Sequence, residues 1–126
     1  MSRGVICSIL RHGGYTVLES EDARQALEIC RRHAEGIGAL VADVLLPRGS
    51  GVELAYWAIG VCSDLRVLLT SGAPMDFWPE SDLGWLRGMA PQSYSFLPKP
   101  FTCDRFIRSF HALLNRPRAT AAAGNG

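Results

Sequence analysis

Apolar residues along the chain follow two alternating rhythms. Val5, Ile6, Ile9 and Leu10 recur at helical spacing, and Gly13-Gly14 stops that pattern. Tyr15-Thr16-Val17-Leu18 is a short β-rich run. Asp22, with Gln25 three residues on, has the form of a capping box for a helix burying Ala26, Leu27 and Cys30, closed by Gly36 and Gly38. Gly38-Ala39-Leu40-Val41-Ala42 is an uninterrupted apolar run, which predicts a strand buried on both faces and ending at Asp43. Ser50 and Glu53 form a second S-x-x-E box, opening a helix with a stripe of Leu54, Trp57, Ala58 and Val61. Arg66-Val67-Leu68-Leu69-Thr70 reads as another buried strand, closed by Ser71-Gly72. Pro74, Pro79 and Pro91 fragment residues 73 to 93, where Leu83, Trp85, Leu86 and Met89 supply one short helix. Tyr94-Ser95-Phe96-Leu97 is a third strand, ended by Pro98-Lys99-Pro100. Thr102 caps a last helix that turns Phe106, Ile107, Phe110, Leu113 and Leu114 inward, with Arg116 near its end.

Strands alternating with amphipathic helices argue for an α/β fold with a parallel sheet. At 126 residues the chain holds one domain, assigned to residues 1–116, with residues 117–126 expected to be a disordered tail rich in Ala, Gly and Asn. Hydrophobic residues at 48% and charged residues at 20% are an ordinary globular mix, enough to fill a core. The net charge of +1 is spread without a basic face, so nucleic acid is not an expected partner. Arg31-Arg32-His33 reads as a solvated helix end. Cys7, Cys30, Cys62 and Cys103 form no CxxC pair and read as buried, inert thiols of a reducing compartment. No apolar stretch is long enough for a membrane span, and no signal-peptide core follows Met1, so the expected location is the cytoplasm.

A parallel sheet brings the carboxyl ends of its strands to one edge, where open α/β sheets bind their ligands. Asp43, Ser71 and Lys99 each follow a predicted strand and should converge there. A carboxylate can attack phosphorus, an ammonium neutralises phosphoryl oxygens, and a hydroxyl donates to one of them. Taken singly, Ser71 is a turn hydroxyl, Lys99 a solvated lysine and Phe96 a core aromatic. The ordered set is what makes a site.

The chain resembles a bacterial response-regulator receiver domain of the chemotaxis-type, single-domain kind. The resemblance rests on Gly14-Tyr15-Thr16-Val17-Leu18-Glu19, Ala26-Leu27, Asp43-Val44-Leu45-Leu46-Pro47 with Gly51, Val67-Leu68-Leu69-Thr70-Ser71-Gly72, and Phe96-Leu97-Pro98-Lys99-Pro100-Phe101. It implies a flavodoxin-like, doubly wound parallel sheet. Asp43 matches the phosphoacceptor, which takes a phosphoryl group from a histidine kinase or phosphotransfer protein. Ser71 matches the switch hydroxyl and Phe96 the switch aromatic. Lys99 matches the phosphate-binding lysine, with a cis bond to Pro100. Asp43 and the Leu45 carbonyl match Mg²⁺ ligands, since this hard cation takes oxygen donors. Pro47, Gly51 and Pro100 match structural positions. The output would go to a downstream protein partner.

The chain also departs from that pattern. The family opens with an apolar strand ending in two adjacent acids that hold Mg²⁺, whereas this chain starts inside the first helix. An upstream start would account for that. Otherwise the chain is expected to be a degenerate receiver, acting as a phosphorylation-independent interaction module whose open sheet edge admits a partner or a second copy. The stretch between Ser71 and Lys99 is also longer than usual. A free-standing enzyme working through an aspartyl intermediate would need more acids, so the chain is read as no enzyme.

Overall fold

The computed structural model describes residues 2–117. The element order is α1 (Arg3–His12), α2 (Ala23–Arg32), β1 (Ala39–Asp43), β2 (Leu45–Leu46), β3 (Gly49–Ser50), α3 (Gly51–Val61), β4 (Arg66–Ser71), α4 (Glu80–Arg87), β5 (Tyr94–Pro98) and α5 (Cys103–Leu114). Single 3₁₀ turns at Met75–Phe77 and Pro91–Ser93 flank α4. The expected tail, residues 117–126, lies outside the described part from residue 118 onward.

Three parallel strands form the main sheet in the order β1-β4-β5. Its central strand, β4, carries Val67, Leu68 and Leu69 at 0% exposure, because both of its faces are covered. Alternation along the strand divides these side chains between two cores. Val67 and Leu69 pack with Val52, Ala55 and Ala58 of α3 and with Leu86 of α4. Leu68 packs with Leu97 and with Phe106, Phe110 and Leu113 of α5, while Ile6, Ile9 and Leu10 of α1 lie against the same cluster. Helices therefore cover both faces, giving the doubly wound arrangement expected. Fully buried Phe106 alone contributes about 2–3 kcal/mol of hydrophobic stabilisation.

The helix starts follow their caps. Asp22 Oδ1 accepts from the Gln25 N–H at 2.8 Å, and Gln25 Oε1 returns to the Glu21 N–H at 2.6 Å. Ser50 Oγ accepts from the N–H groups of Val52 and Glu53, both at 3.1 Å, and Thr102 Oγ1 from that of Arg105 at 3.1 Å. At the amino end of β4, Arg66 donates to the carbonyls of Gln92, Leu113 and Arg116. Arg116 donates to those of Pro91 and Tyr94, so the end of α5 is tied to the start of β5.

Four expectations fail. Tyr15–Leu18 is irregular, not a strand, since no described strand lies beside it to share a ladder. Tyr15 instead packs edge-on against Phe110, with ring centroids 5.3 Å apart. Ala39, Leu40 and Val41 are only partly covered, because β1 is the edge of the described sheet and pairs with β4 alone. Trp57 does not join the buried stripe of α3. Val52, Ala55 and Ala58 set that face at 0% exposure and leave Trp57 half exposed, its indole N–H on Glu53 Oε2 at 3.3 Å. The helix between Pro79 and Pro91 is present as α4. Trp78 is buried, and Trp85 packs against Tyr56 and Trp57. Of the thiols, Cys7, Cys30 and Cys62 are buried as expected, whereas Cys103 in the first turn of α5 is exposed.

Candidate functional site

Asp43 closes β1 at the carboxyl edge of the sheet, where its side chain is 45% exposed. Parallel register places it directly across from Thr70 of β4. The ladder runs one residue further, with the Val44 N–H on the Thr70 carbonyl at 2.8 Å, so the height of Asp43 on the sheet is fixed by backbone bonds. Beyond it, β2 and β3 form a two-rung antiparallel hairpin that turns at Pro47 and Arg48 and delivers the chain into α3.

The first residue of α3 must be glycine. The Gly51 N–H donates to the Val44 carbonyl at 2.8 Å, and a Cβ on Gly51 would lie 1.8 Å from the carbonyl oxygen of Asp43. No side chain fits there without moving the acid's backbone. The preceding residue, Ser50, caps α3 and also donates its hydroxyl hydrogen to Asp82 Oδ1 of α4 at 2.6 Å. Asp82 is 5% exposed, and this bond is what makes its burial tolerable. The hairpin after Asp43 is thereby tied to α4.

Lys99 follows β5 and is pinned between Pro98 and a cis bond to Pro100. Its backbone N–H donates to the Ser71 carbonyl at 2.8 Å. Its ammonium reaches Asp43 Oδ1 at 3.0 Å, both side chains being partly exposed. The hydroxyl of Thr70 donates to that same Oδ1. An acid, an ammonium and a hydroxyl from three strands thus meet at one rim.

The hydroxyl in contact is not the one the sequence singled out. Ser71 Oγ accepts from the Ala73 N–H at 3.0 Å and lies 3.0 Å from the Ala73 carbonyl, a local turn that occupies the hydroxyl. Register explains the difference: Asp43 pairs with Thr70, and the next residue along a strand faces the other way. Thr70 was legible only as an apolar-run residue, and the pairing that makes it functional is not a sequence signal. Phe96 sits in β5 with its ring edge-on to Trp78, centroids 5.1 Å apart. Leu45 belongs to the hairpin, its side chain 85% exposed.

Mg²⁺ takes six oxygen ligands in near-octahedral order, several of them waters, and is usually held by one or two carboxylates plus substrate phosphates. Among the described residues no three His, Cys, Asp or Glu side chains gather, and the cation beside Asp43 is Lys99. The described residues therefore lack the clustered acids of a preformed Mg²⁺ pocket. Among them, too, no helix is long and apolar enough to cross a membrane.

No family model matches the chain. It is 30% identical over 114 residues to the response regulator MprA of Mycobacterium leprae, and 29% identical over 114 residues to MprA of Mycobacterium tuberculosis strain H37Rv, covering 90% of this chain each time. The match takes in 46% of each relative, so the chain spans about half the length of the curated relatives it matches. Among solved structures, the receiver domain of the hybrid histidine kinase CckA superposes with a TM-score of 0.70 at 29% identity, over 90% of this chain and 89% of that one. A receiver domain protein from Clostridium thermocellum reaches a TM-score of 0.73 at 20% identity, over 90% and 85% of the two chains, and speaks for the fold alone. Over nearly its whole length the chain is similar to response regulators and to receiver domains of solved structure. Its fold is their flavodoxin-like parallel α/β arrangement.

Proposed function

We propose that this receiver accepts a phosphoryl group on Asp43 from a histidine kinase or phosphotransfer protein and passes the signal to a protein partner by a change of shape. The observation that carries the reading is the meeting of Asp43 and Lys99 at the carboxyl edge, with nucleophile and neutralising ammonium 3.0 Å apart. In this reading Ser71 leaves its turn with Ala73 to reach the phosphoryl group, and Phe96 moves with it. The domain has no turnover chemistry of its own, and Lys99 is the cation that the chain itself supplies at the rim. The boundary of the working unit is put at residue 116, where Arg66 and Arg116 tie off α5.

One observation favours a second reading. Among the described residues no three metal-ligating side chains gather, which suits a degenerate receiver that docks partners without phosphorylation. The two part on incubation with acetyl phosphate, with and without Mg²⁺, followed by intact mass and peptide mapping. Labelling of the wild type that is absent from Asp43→Asn supports the receiver. A folded wild type that takes no label under either condition supports the interaction module.

A further inference from the structure

We propose that Thr70 is a positioning residue for Asp43, fixing one carboxylate oxygen so that the other is the attacking atom; this rests on the phosphoryl-accepting reading above. Two donors, the Thr70 hydroxyl and the Lys99 ammonium, converge on Oδ1. Among the described residues Oδ2 has no hydrogen-bond partner, and the Asp43 side chain is 45% exposed. A carboxylate held through one oxygen cannot spin freely about its terminal torsion, so its free oxygen keeps a constant direction.

Thr70 suits that task because it cannot move. It is 2% exposed on the central strand, its carbonyl is bound by Val44, and its neighbours Leu68 and Leu69 are fully buried. Ser71, one residue on, has the opposite character, being partly exposed with its hydroxyl bonded only within its own turn. The rim therefore holds two hydroxyls with separate duties. Thr70 is a stationary holder of the resting carboxylate, and Ser71 is the one free to travel. With acetyl phosphate, a lone pair of Oδ2 forms the new O–P bond as the bond from phosphorus to the acetate oxygen breaks. Acetate leaves with that electron pair, and Oδ1 stays on its two donors.

The test uses Thr70→Val, which keeps the shape and removes the donor, with Thr70→Ser as the rescue and Ser71→Ala as the comparison. The first readout is the ¹³Cγ resonance of Asp43, assigned by its loss in Asp43→Asn. Thr70→Val should shift it, while Thr70→Ser and Ser71→Ala should leave it near its wild-type position. The second is acetyl phosphate labelling, expected to slow about tenfold in Thr70→Val and to recover in Thr70→Ser. Should Thr70→Val not fold, Thr70→Ala removes the same donor without the methyl crowding. An unchanged Asp43 resonance in the variant that lacks the donor overturns the proposal, as does a beryllofluoride adduct with beryllium on the oxygen Thr70 holds. A wild type that takes no label overturns the phosphoryl-accepting reading instead, and the resonance still decides whether Thr70 holds the carboxylate.

Discussion

Gly51 lies against the backbone carbonyl of Asp43 so closely that an added Cβ would sit 1.8 Å from that oxygen. The helix following the site is thus packed directly onto the residue that carries the chemistry. Gly51→Ala should destabilise the fold by about 1–3 kcal/mol through overpacking, or displace the Asp43 backbone to relieve it. Urea unfolding reads the first outcome, and slower acetyl phosphate labelling in a still-folded variant reads the second.

Ser50 offers a contrast with an ordinary cap. Thr102 caps α5 at an exposed position, so Thr102→Ala should cost about 1 kcal/mol. Ser50→Ala loses a cap and also strands Asp82, which is 5% exposed and accepts the Ser50 hydroxyl. That adds about 1–3 kcal/mol for an unsatisfied buried group. In a double-mutant cycle, Asp82→Ala should be less harmful in the Ser50→Ala background than in the wild type, because the pair acts as a unit.

The ion pair of Lys99 and Asp43 should matter to chemistry more than to stability. Both side chains are partly exposed, and such a pair contributes about 0–1 kcal/mol. Lys99→Met is therefore expected to melt close to the wild type while labelling with acetyl phosphate at least tenfold more slowly, about the loss of one transition-state contact. A large fall in melting temperature would mark Lys99 as structural.

Cys30 gives a pH dependence with a definite sign. Burial, then the neighbouring Cys62, pushes its thiol from an ordinary 9.0 to about 11. Between those values the unfolded chain loses the proton and the folded chain keeps it, so stability present in full below about pH 9 falls as pH rises toward 11. Urea midpoints measured across that window should decline less steeply in Cys30→Ala. At neutral pH the buried, protonated thiol should resist alkylation while exposed Cys103 reacts first.

Arg66 should be irreplaceable by lysine. Its fork reaches the carbonyls of Gln92, Leu113 and Arg116 at 3.2, 3.0 and 2.9 Å, a geometry that a single ammonium cannot reproduce. Arg66→Lys should raise hydrogen exchange in the last turn of α5, around Ala112 to Asn115, and leave α3 unchanged.

Local signals settled much of this molecule in the sequence itself. The apolar runs ending at Asp43, Thr70 and Leu97 fixed three strands, because a continuous hydrophobic run bounded by glycine or proline has few other places to go. Asp22, Ser50 and Thr102 announced their helices through side-chain oxygens that bond to the backbone three residues on. The convergence of Asp43 and Lys99 was legible as well, since parallel strands carry their carboxyl ends to one side. Tertiary structure decided the rest. Tyr15–Leu18 has strand composition but, among the described residues, no neighbour to complete its ladder, and a strand exists only in its pairing. Trp57 matched a helical stripe, yet α3 turned it outward because Val52, Ala55 and Ala58 fit the sheet more closely. The hydroxyl that meets Asp43 is Thr70 and not Ser71, because period-two alternation and interstrand register select one of two adjacent residues, and register belongs to the assembled sheet.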